Sequence, residues 1–525
     1  MKRIFPLFAA AVLLAGCSSK QAAPEAKSQQ TEAAQTETAE TQDAGTASGT
    51  SVFSDVPEDY WAKDAIDGLY AKGWLSQTGE FRPDDQITRG EYIQMLAAAF
   101  PAKYTPYGDA YADVKEGDAV YDAVSMVGGD LTSDANFEAE RTVTREEAVT
   151  AIAKAIGFVA REMEISFSDA DQIAAEDVPY IGFAAETGLV EDGEDVAFDA
   201  KKEITRAEAA DFLYRAATYK GDADRPSGNV EENGDTKDDA SVVYMTTDLS
   251  PEGLMKIYKE LNWQPVGNVG VKMSTGEAGG DYYLHPDFIK DLVHEVNGTI
   301  IECNTAYGGS RATTAIHRQT IADHGFNEIA DVDIMDEEGS IDLPVREGSV
   351  HLEKDMVGSH LANYDSILVL SHFKGHAMGG FGGALKNISI GIASQKGKMY
   401  IHSGGRQDDH FEAGPQNDFL ESMAEAAGAV MQNKEGHMVY ISVMNNLSVD
   451  CDCDGNPEEP DMHDIGILAS YDPVALDRAC VDLVYAAPDS ARLVQRIESR
   501  NGTRILDHAE ELGMGSQNYK IVTID

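Results

Sequence analysis

The residue types able to do chemistry gather in the second half of the chain. Asp450-Cys451-Asp452-Cys453-Asp454 sets two thiols one residue apart among carboxylates. Thiolates at that spacing can clamp one soft metal ion, and the tight geometry argues against a disulfide between them. Ser371-His372-Phe373-Lys374-Gly375-His376 offers two imidazoles with a lysine between them. They can complete a metal shell, move protons, or simply bond their own loop. Cys303 follows the apolar run Thr299–Ile301 and is either a further sulfur ligand or a buried structural thiol. The expected metal set is Cys451 and Cys453 with Cys303 or His372 and His376, holding an iron–sulfur cluster or another transition metal. No catalytic set is defined; His372, Lys374, His376, Lys272 and Lys386 are the candidates. Gly379-Gly380-Phe381-Gly382-Gly383 lets backbone approach a ligand closely. Gly379, Gly380, Gly382 and Gly383, with Asn387, are the candidate cofactor cradle. Its spacing matches no nucleotide-binding loop. Cys480 lies in a helical stretch and reads as core.

These groups are far apart along the chain, so a scaffold must bring them together. From Val242 onward, short β-branched runs alternate with helical stretches. The runs are Val242–Met245, Val269–Met273, Thr299–Ile301, Ser366–Leu370, Met438–Met444 and Asp464–Ala469, with a last strand at Tyr519–Thr523. Helices are predicted at Pro251–Leu261, Pro286–Val296, Arg311–His324 and Asn417–Gln432. This alternation predicts an α/β domain over 241–525 with a mainly parallel sheet. Ligands collect beyond the carboxyl ends of such strands, and the chemical residues fall just there.

Upstream the chain repeats itself. Asp55, Asp113 and Asp169 open three units, at spacings of 58 and 56 residues. Thr88-Arg89-Gly90-Glu91, Thr144-Arg145-Glu146-Glu147 and Thr205-Arg206-Ala207-Glu208 mark the same later point in each. A Thr with Glu three residues on is a capping box that starts a helix. Each unit reads as helix–loop–helix and needs neighbours to cover its apolar face. The units run over about 51–108, 109–164 and 165–219. In the second, Val127-Gly128-Gly129-Asp130 is expected to interrupt the first helix.

The Phe53-x-Asp55-Val56 start, Trp61-Ala62, Phe81-x-Pro83 and the three Thr-Arg-x-Glu boxes resemble the S-layer homology (SLH) family. That resemblance implies an all-α, pseudo-threefold prism whose grooves bind pyruvylated secondary cell-wall polysaccharide. Arg89, Arg145 and Arg206 would then meet the ketal carboxylate, with Asp55 and Trp61 beside them. A forked guanidinium suits that task.

The chain's start carries Lys2-Arg3, an apolar stretch Ile4–Leu14, and Leu14-Ala15-Gly16-Cys17. This resembles a bacterial lipobox, which implies a signal peptide at 1–17 and a lipid-anchored Cys17. Residues 18–50 hold no aromatic residue and read as a disordered tether, and 220–240 as a second linker. With 41 basic and 91 acidic residues the net charge is −50, which argues against nucleic acid as a partner.

A further resemblance spans the α/β domain. Lys272-x-x-x-Gly276-Glu277, Tyr307-x-Gly309-Ser310-Arg311, the Ser371–His376 and Gly379–Asn387 segments, Asp450-Cys451-x-Cys453 and Asp464-Ile465-Gly466 look like domain of unknown function 362. So does Ser470-x-Asp472-Pro473-Val474-Ala475. Members are often described as iron–sulfur centre proteins with no reaction firmly attached. Many add a ferredoxin module with Cys-x-x-Cys-x-x-Cys runs, and this sequence contains none. The expectation is a multidomain, exported envelope lipoprotein held to the wall, with a metal or iron–sulfur domain. The alternative is a non-catalytic protein linking membrane and wall through a ligand-binding C-terminal domain.

Overall fold

The structure, a computed structural model, describes residues 52–75, 79–100, 111–161, 163–191, 193, 195–219 and 240–525. The signal peptide, Cys17, the tether and residues 220–239 of the second linker lie outside these.

A helical region comes first: α1 (Lys63–Ala71), α2 (Arg89–Ala99), α3 (Tyr121–Leu131), α4 (Arg145–Ala155), α5 (Val178–Glu186) and α6 (Arg206–Thr218). The capping boxes form at Thr88, Thr144 and Thr205, each with its Glu returning a bond to the cap backbone. Just before them the chain segments close a ring. The Ile87 amide donates to Ile204 O (3.1 Å), Ile204 to Val143 O (3.0 Å) and Val143 to Ile87 O (3.1 Å). Asp55 accepts the amides of Phe81 and Arg82, Asp113 those of Phe137 and Glu138, and Asp169 those of Phe198 and Asp199. The second residue of each pair has positive φ (60°, 55° and 58°). Each aspartate therefore braces a left-handed turn that its unit repeats. The glycine pair in the second unit does not break its helix: α3 runs through it, and Gly128 is buried in close contact with Val124 and Tyr111, where a Cβ would lie 3.0 and 3.2 Å from their side chains.

The second region follows in chain order as β1 (Ser241–Thr246), α7 (Pro251–Glu260), β2 (Val269–Lys272), α8 (Pro286–Glu295), β3 (Thr299–Glu302), α9 (Thr314–Asp323) and β4 (Val332–Ile334). Then come β5 (Ser340–Leu343), β6 (Asp355–Gly358), β7 (Ser366–His372), β8 (Lys374–His376), β9 (Gly380–Gly382), α10 (Ala384–Ile388), α11 (Gln395–His402) and α12 (Gln416–Asn433). It ends with β10 (Met438–Met444), β11 (Gly466–Ser470), α13 (Pro473–Ala486), α14 (Ala491–Ser499), α15 (Arg504–Glu511) and β12 (Tyr519–Thr523). Eight strands form one sheet in the order β12-β1-β11-β10-β7-β2-β3-β4. Only β11 runs antiparallel to its neighbours; the other pairings are parallel. The central strands β7 and β10 are buried along nearly their whole length, as a sheet covered on both faces requires. This is the expected α/β architecture with a mainly parallel sheet.

The helical region touches the α/β domain through α14. Val159 donates its amide to Ser499 O (3.1 Å), and the Gln495 side chain donates to Ala216 O. Among the described residues no helix is long and apolar enough to cross a membrane.

Candidate functional site

Strands β2, β3, β7 and β10 point their carboxyl ends at one crevice. Lys272 closes β2, Glu302 and Cys303 close β3, and β8 continues from β7 with Lys374 and His376. A cavity of about 130 Å³ lies between these residues, α10, α11 and the loop carrying Cys451 and Cys453. Residues scattered from 272 to 453 thus share one space.

The cysteines meet in a way the sequence reading did not foresee. Cys451 and Cys453 are joined in a disulfide, with Cα atoms 5.2 Å apart. The loop between them turns tightly enough to bring the sulfurs into bonding reach. Its middle residue is tied down on two sides. Asp452 accepts Lys374 Nζ at 2.8 Å on one oxygen and faces His372 Nδ1 at 3.0 Å with the other. Burial alone would raise the Asp452 carboxyl, but the charges of His372 and Lys374 hold it well below the usual range.

The two histidines are not equivalent. His372 spans Asp452 and the Asn445 carbonyl (2.7 Å from Nε2), so both ring nitrogens are occupied and neither is open to a metal. A ring nitrogen of His376 and both sulfurs lie within 4.8 Å of one another. His376 is buried and kept neutral, chiefly by desolvation and then by Lys386. Its Nδ1 accepts the amides of Met378 (3.3 Å) and Gly379 (2.9 Å). The proton of the neutral ring therefore sits on Nε2, which makes His376 a donor.

Cys303 lines the crevice wall, but its thiol donates to Ile392 O (3.2 Å) and burial pushes it up to about 12. Cys480 is buried in α13, as expected of a core residue. An iron–sulfur cluster on four thiolates therefore does not fit this donor set. A metal held through His376 would need its Nε2 stripped of the proton that the Nδ1 contacts put there. Cys303, His372, His376, Cys451 and Cys453 thus all line the one crevice; a ring nitrogen of His376 lies near both sulfurs, while the His372 nitrogens and the Cys303 thiol are engaged in other hydrogen bonds.

The glycine run is a packing device more than a cradle. A side chain on Gly380 would press Gly502 and Ile497, and one on Gly383 would lie 2.3 Å from an Asp477 oxygen. Asp477 itself accepts the amides of Ala384 and Leu385, which a bound cofactor would otherwise have met. Gly382 and Gly383 do face the crevice; Gly379 and Gly380 serve the turn. Asn387 bridges strands, donating to Lys272 O and Leu370 O and accepting Lys272 Nζ at 3.0 Å.

Several crevice residues carried no assigned role in the sequence. Arg311 bonds Glu277 (3.1 Å) and Glu302 (3.2 Å). Burial would raise Glu302, yet the His317 bond and the Arg311 charge hold it far below its usual range. Lys398 and His402 come from α11, whose Ser394 cap and i,i+4 spacing were the available signal.

In the helical region the three arginines also part ways. Arg89 is buried and bonds Phe137 O and Glu147 (2.8 Å); Arg206 is buried and pairs with Glu91 (2.8 Å). Arg145 pairs with no carboxylate within 4.0 Å among the described residues. Its guanidinium lies over Phe198 and Phe212, and its Nε has no hydrogen-bond partner. It lines an open groove with Trp61, Glu208, Asp211 and Arg215, and Trp61 is 58% exposed. Asp55 is engaged by its turn.

The fold and the site together define an α/β domain with a lysine-lined crevice, preceded by capped helical repeats. Residues 269–482 match the domain of unknown function DUF362, and residues 52–93 and 166–210 match the S-layer homology domain. SLH domains mark a cell-surface or cell-wall-associated exported protein and generally bind cell-wall polysaccharide. Among curated proteins, an amylopullulanase from Thermoanaerobacterium thermosulfurigenes is 28% identical over 172 residues, 31% of this chain and 9% of that protein. Exoglucanase XynX from Acetivibrio thermocellus is 27% identical over 180 residues, 32% of this chain and 16% of that protein. The matches thus span under a fifth of either relative's length. Among solved structures, a lactate racemase apoprotein from Thermoanaerobacterium thermosaccharolyticum has a TM-score of 0.26 at 14% identity, covering 41% of this chain and 53% of its own. A Thermotoga maritima protein has a TM-score of 0.28 at 13% identity, covering 45% and 58%. At these scores the likeness bears on neither fold nor function.

Proposed function

We propose that this is an exported protein retained on the cell wall by three SLH repeats arranged as a prism, whose α/β domain carries a reversible disulfide centre, Cys451–Cys453. The wall ligand in this reading is pyruvylated polysaccharide, met at the Arg145–Trp61 groove, and Cys17 is the lipid anchor. The observation that carries the sulfur reading is the bonded pair facing a crevice beside the neutral, proton-bearing His376.

The chemistry balances with an external dithiol as reductant. Its thiolate attacks one sulfur, the Cys451–Cys453 bond breaks, and the departing thiolate, which the His376 N–H is placed to stabilise by a hydrogen bond, takes up the proton released by the reductant's own thiol. The second thiol of the reductant then displaces the mixed disulfide. Two electrons and two protons pass to the pair, and the reductant leaves as a disulfide.

A soft metal on the reduced pair is the second reading, favoured by the 4.8 Å cluster of His376, Cys451 and Cys453. Thiol counting and metal analysis of protein purified without oxygen decide between them. The disulfide reading expects two extra titratable thiols on mild reduction of folded protein and no stoichiometric metal. Bound metal that vanishes in the Cys451→Ser/Cys453→Ser variant would replace it with the metal reading.

A further inference from the structure

Buried cations normally carry partners, because an ammonium out of water without a counter-charge is costly. In the crevice that rule holds for Arg311, which bonds Glu277 and Glu302, and for Lys374, which bonds Asp452. Two other buried lysines, Lys272 and Lys398, depart from it, as does the part-buried Lys386. Lys272 Nζ donates only to Met273 O (2.7 Å) and Asn387 Oδ1 (3.0 Å). Lys398 Nζ donates to Ala393 O. The Lys386 amine has no hydrogen-bond partner among the described residues. None of the three forms a salt bridge with a carboxylate within 4.0 Å, although acidic residues outnumber basic ones 91 to 41 in the chain.

They come from three separate elements, β2, α10 and α11, and converge on one cavity. Glu302 is the carboxylate acting on Lys272 and Asp452 the one acting on Lys386, and both are already bonded: Glu302 by Thr275, His317 and Arg311, Asp452 by Lys374 and His372. The histidines on the same cavity do not supply negative charge. The surplus is therefore positive and local.

We propose that the crevice is a binding site for a small oxyanion carrying at least two negative charges, seated between Lys272, Lys386 and Lys398. Lysine amines are compact donors that suit carboxylate or phosphate oxygens approached from several sides. Burial pushes Lys272 and Lys386 down to about 8, with the neighbouring cations adding to the effect on Lys386. A bound anion relieves that repulsion and restores their charge. Lys386 is the central donor, since its amine has nothing else to bond. The inference names what the crevice of the proposed sulfur centre receives, but it does not depend on sulfur chemistry.

The test is isothermal titration of the oxidised full chain in chelator, with inorganic phosphate and with malonate, against chloride at matched ionic strength. Saturable one-to-one binding of either probe is expected, weakened at least tenfold in Lys386→Ala and in Lys398→Gln. Phosphate alone points to a phosphorylated ligand, and malonate alone or both to a dicarboxylate; each supports the proposal. No binding beyond chloride overturns it, as does unchanged affinity in a Lys386→Ala protein with wild-type Tm. Because chelated, oxidised protein is used, a negative thiol count leaves this result standing, and a failed titration leaves the disulfide reading standing.

Discussion

Asp452 Oδ1 accepts Lys374 Nζ at 2.8 Å, so the residue between the two cysteines is ionically clamped to the end of the central sheet. Both partners are almost fully buried. Removing one member of such a pair leaves the other charge stranded, at a cost on the order of 3–5 kcal/mol. Asp452→Asn should lower stability by that order in urea unfolding, while Asp452→Asn with Lys374→Met should cost less than the sum of the two singles. Additive losses would mean the clamp is not energetic.

Much of this arrangement was legible from residue types. The strands of the sheet were visible because Val439 to Val443 or Ile367 to Leu370 leave no other use for consecutive apolar residues. What was not legible was pairing across distance. Nothing local says that Arg89 and Arg206 spend their charge on Glu147 and Glu91 while Arg145, in the same Thr-Arg-x-Glu box, does not. Nor does the Cys-x-Cys spacing reveal a closed disulfide. The short β4 was missed because Val332-Asp333-Ile334 is polar at its centre and carries no run. β8 and β9 were missed because Gly375, Gly380 and Gly382 read as loop.

The arginine division gives a second prediction. Arg145→Ala should abolish or sharply reduce sedimentation with purified wall polysaccharide while leaving Tm near wild type. Arg89→Ala and Arg206→Ala should lower Tm instead, because each empties a buried position and breaks a hydrogen bond to a backbone carbonyl of a neighbouring unit, Phe137 O or Phe81 O. Equal loss of wall binding in all three, with Tm unchanged, would return them to equal standing as groove residues.

Asp355 sits at the start of β6, 1% exposed, with no cation within salt-bridge distance among the described residues. Burial pushes its carboxyl up to about 8. An acid whose folded value lies above its unfolded one stabilises the protein while it keeps the proton. That contribution is complete below the unfolded value near 3.8 and is lost as pH rises toward about 8. Wild-type stability should therefore fall over this window by roughly 1.4 kcal/mol per pH unit from this group alone. Asp355→Asn should remove that slope in urea unfolding at stepped pH, and an unchanged slope would show that Asp355 ionises freely.

Gly375 offers a purely steric lever on the sulfur loop. It lies in β8, and a Cβ there would come within 2.5 Å of Val449 O and 2.6 Å of Val449 Cα, backbone that cannot swing aside. The Gly375 amide also donates to Ser448 O at 2.8 Å, so the strand and the approach to Cys451 are in direct contact. Overpacking of this kind costs about 1–3 kcal/mol. Gly375→Ala should push the 448–453 segment outward and separate Asp452 from Lys374 and His372. After mild reduction the cysteines should then react faster with a bulky maleimide than in wild type, at equal far-ultraviolet dichroism. Unchanged labelling would mean that the loop holds its place without this close packing, and that the Asp452 clamp alone positions the sulfurs.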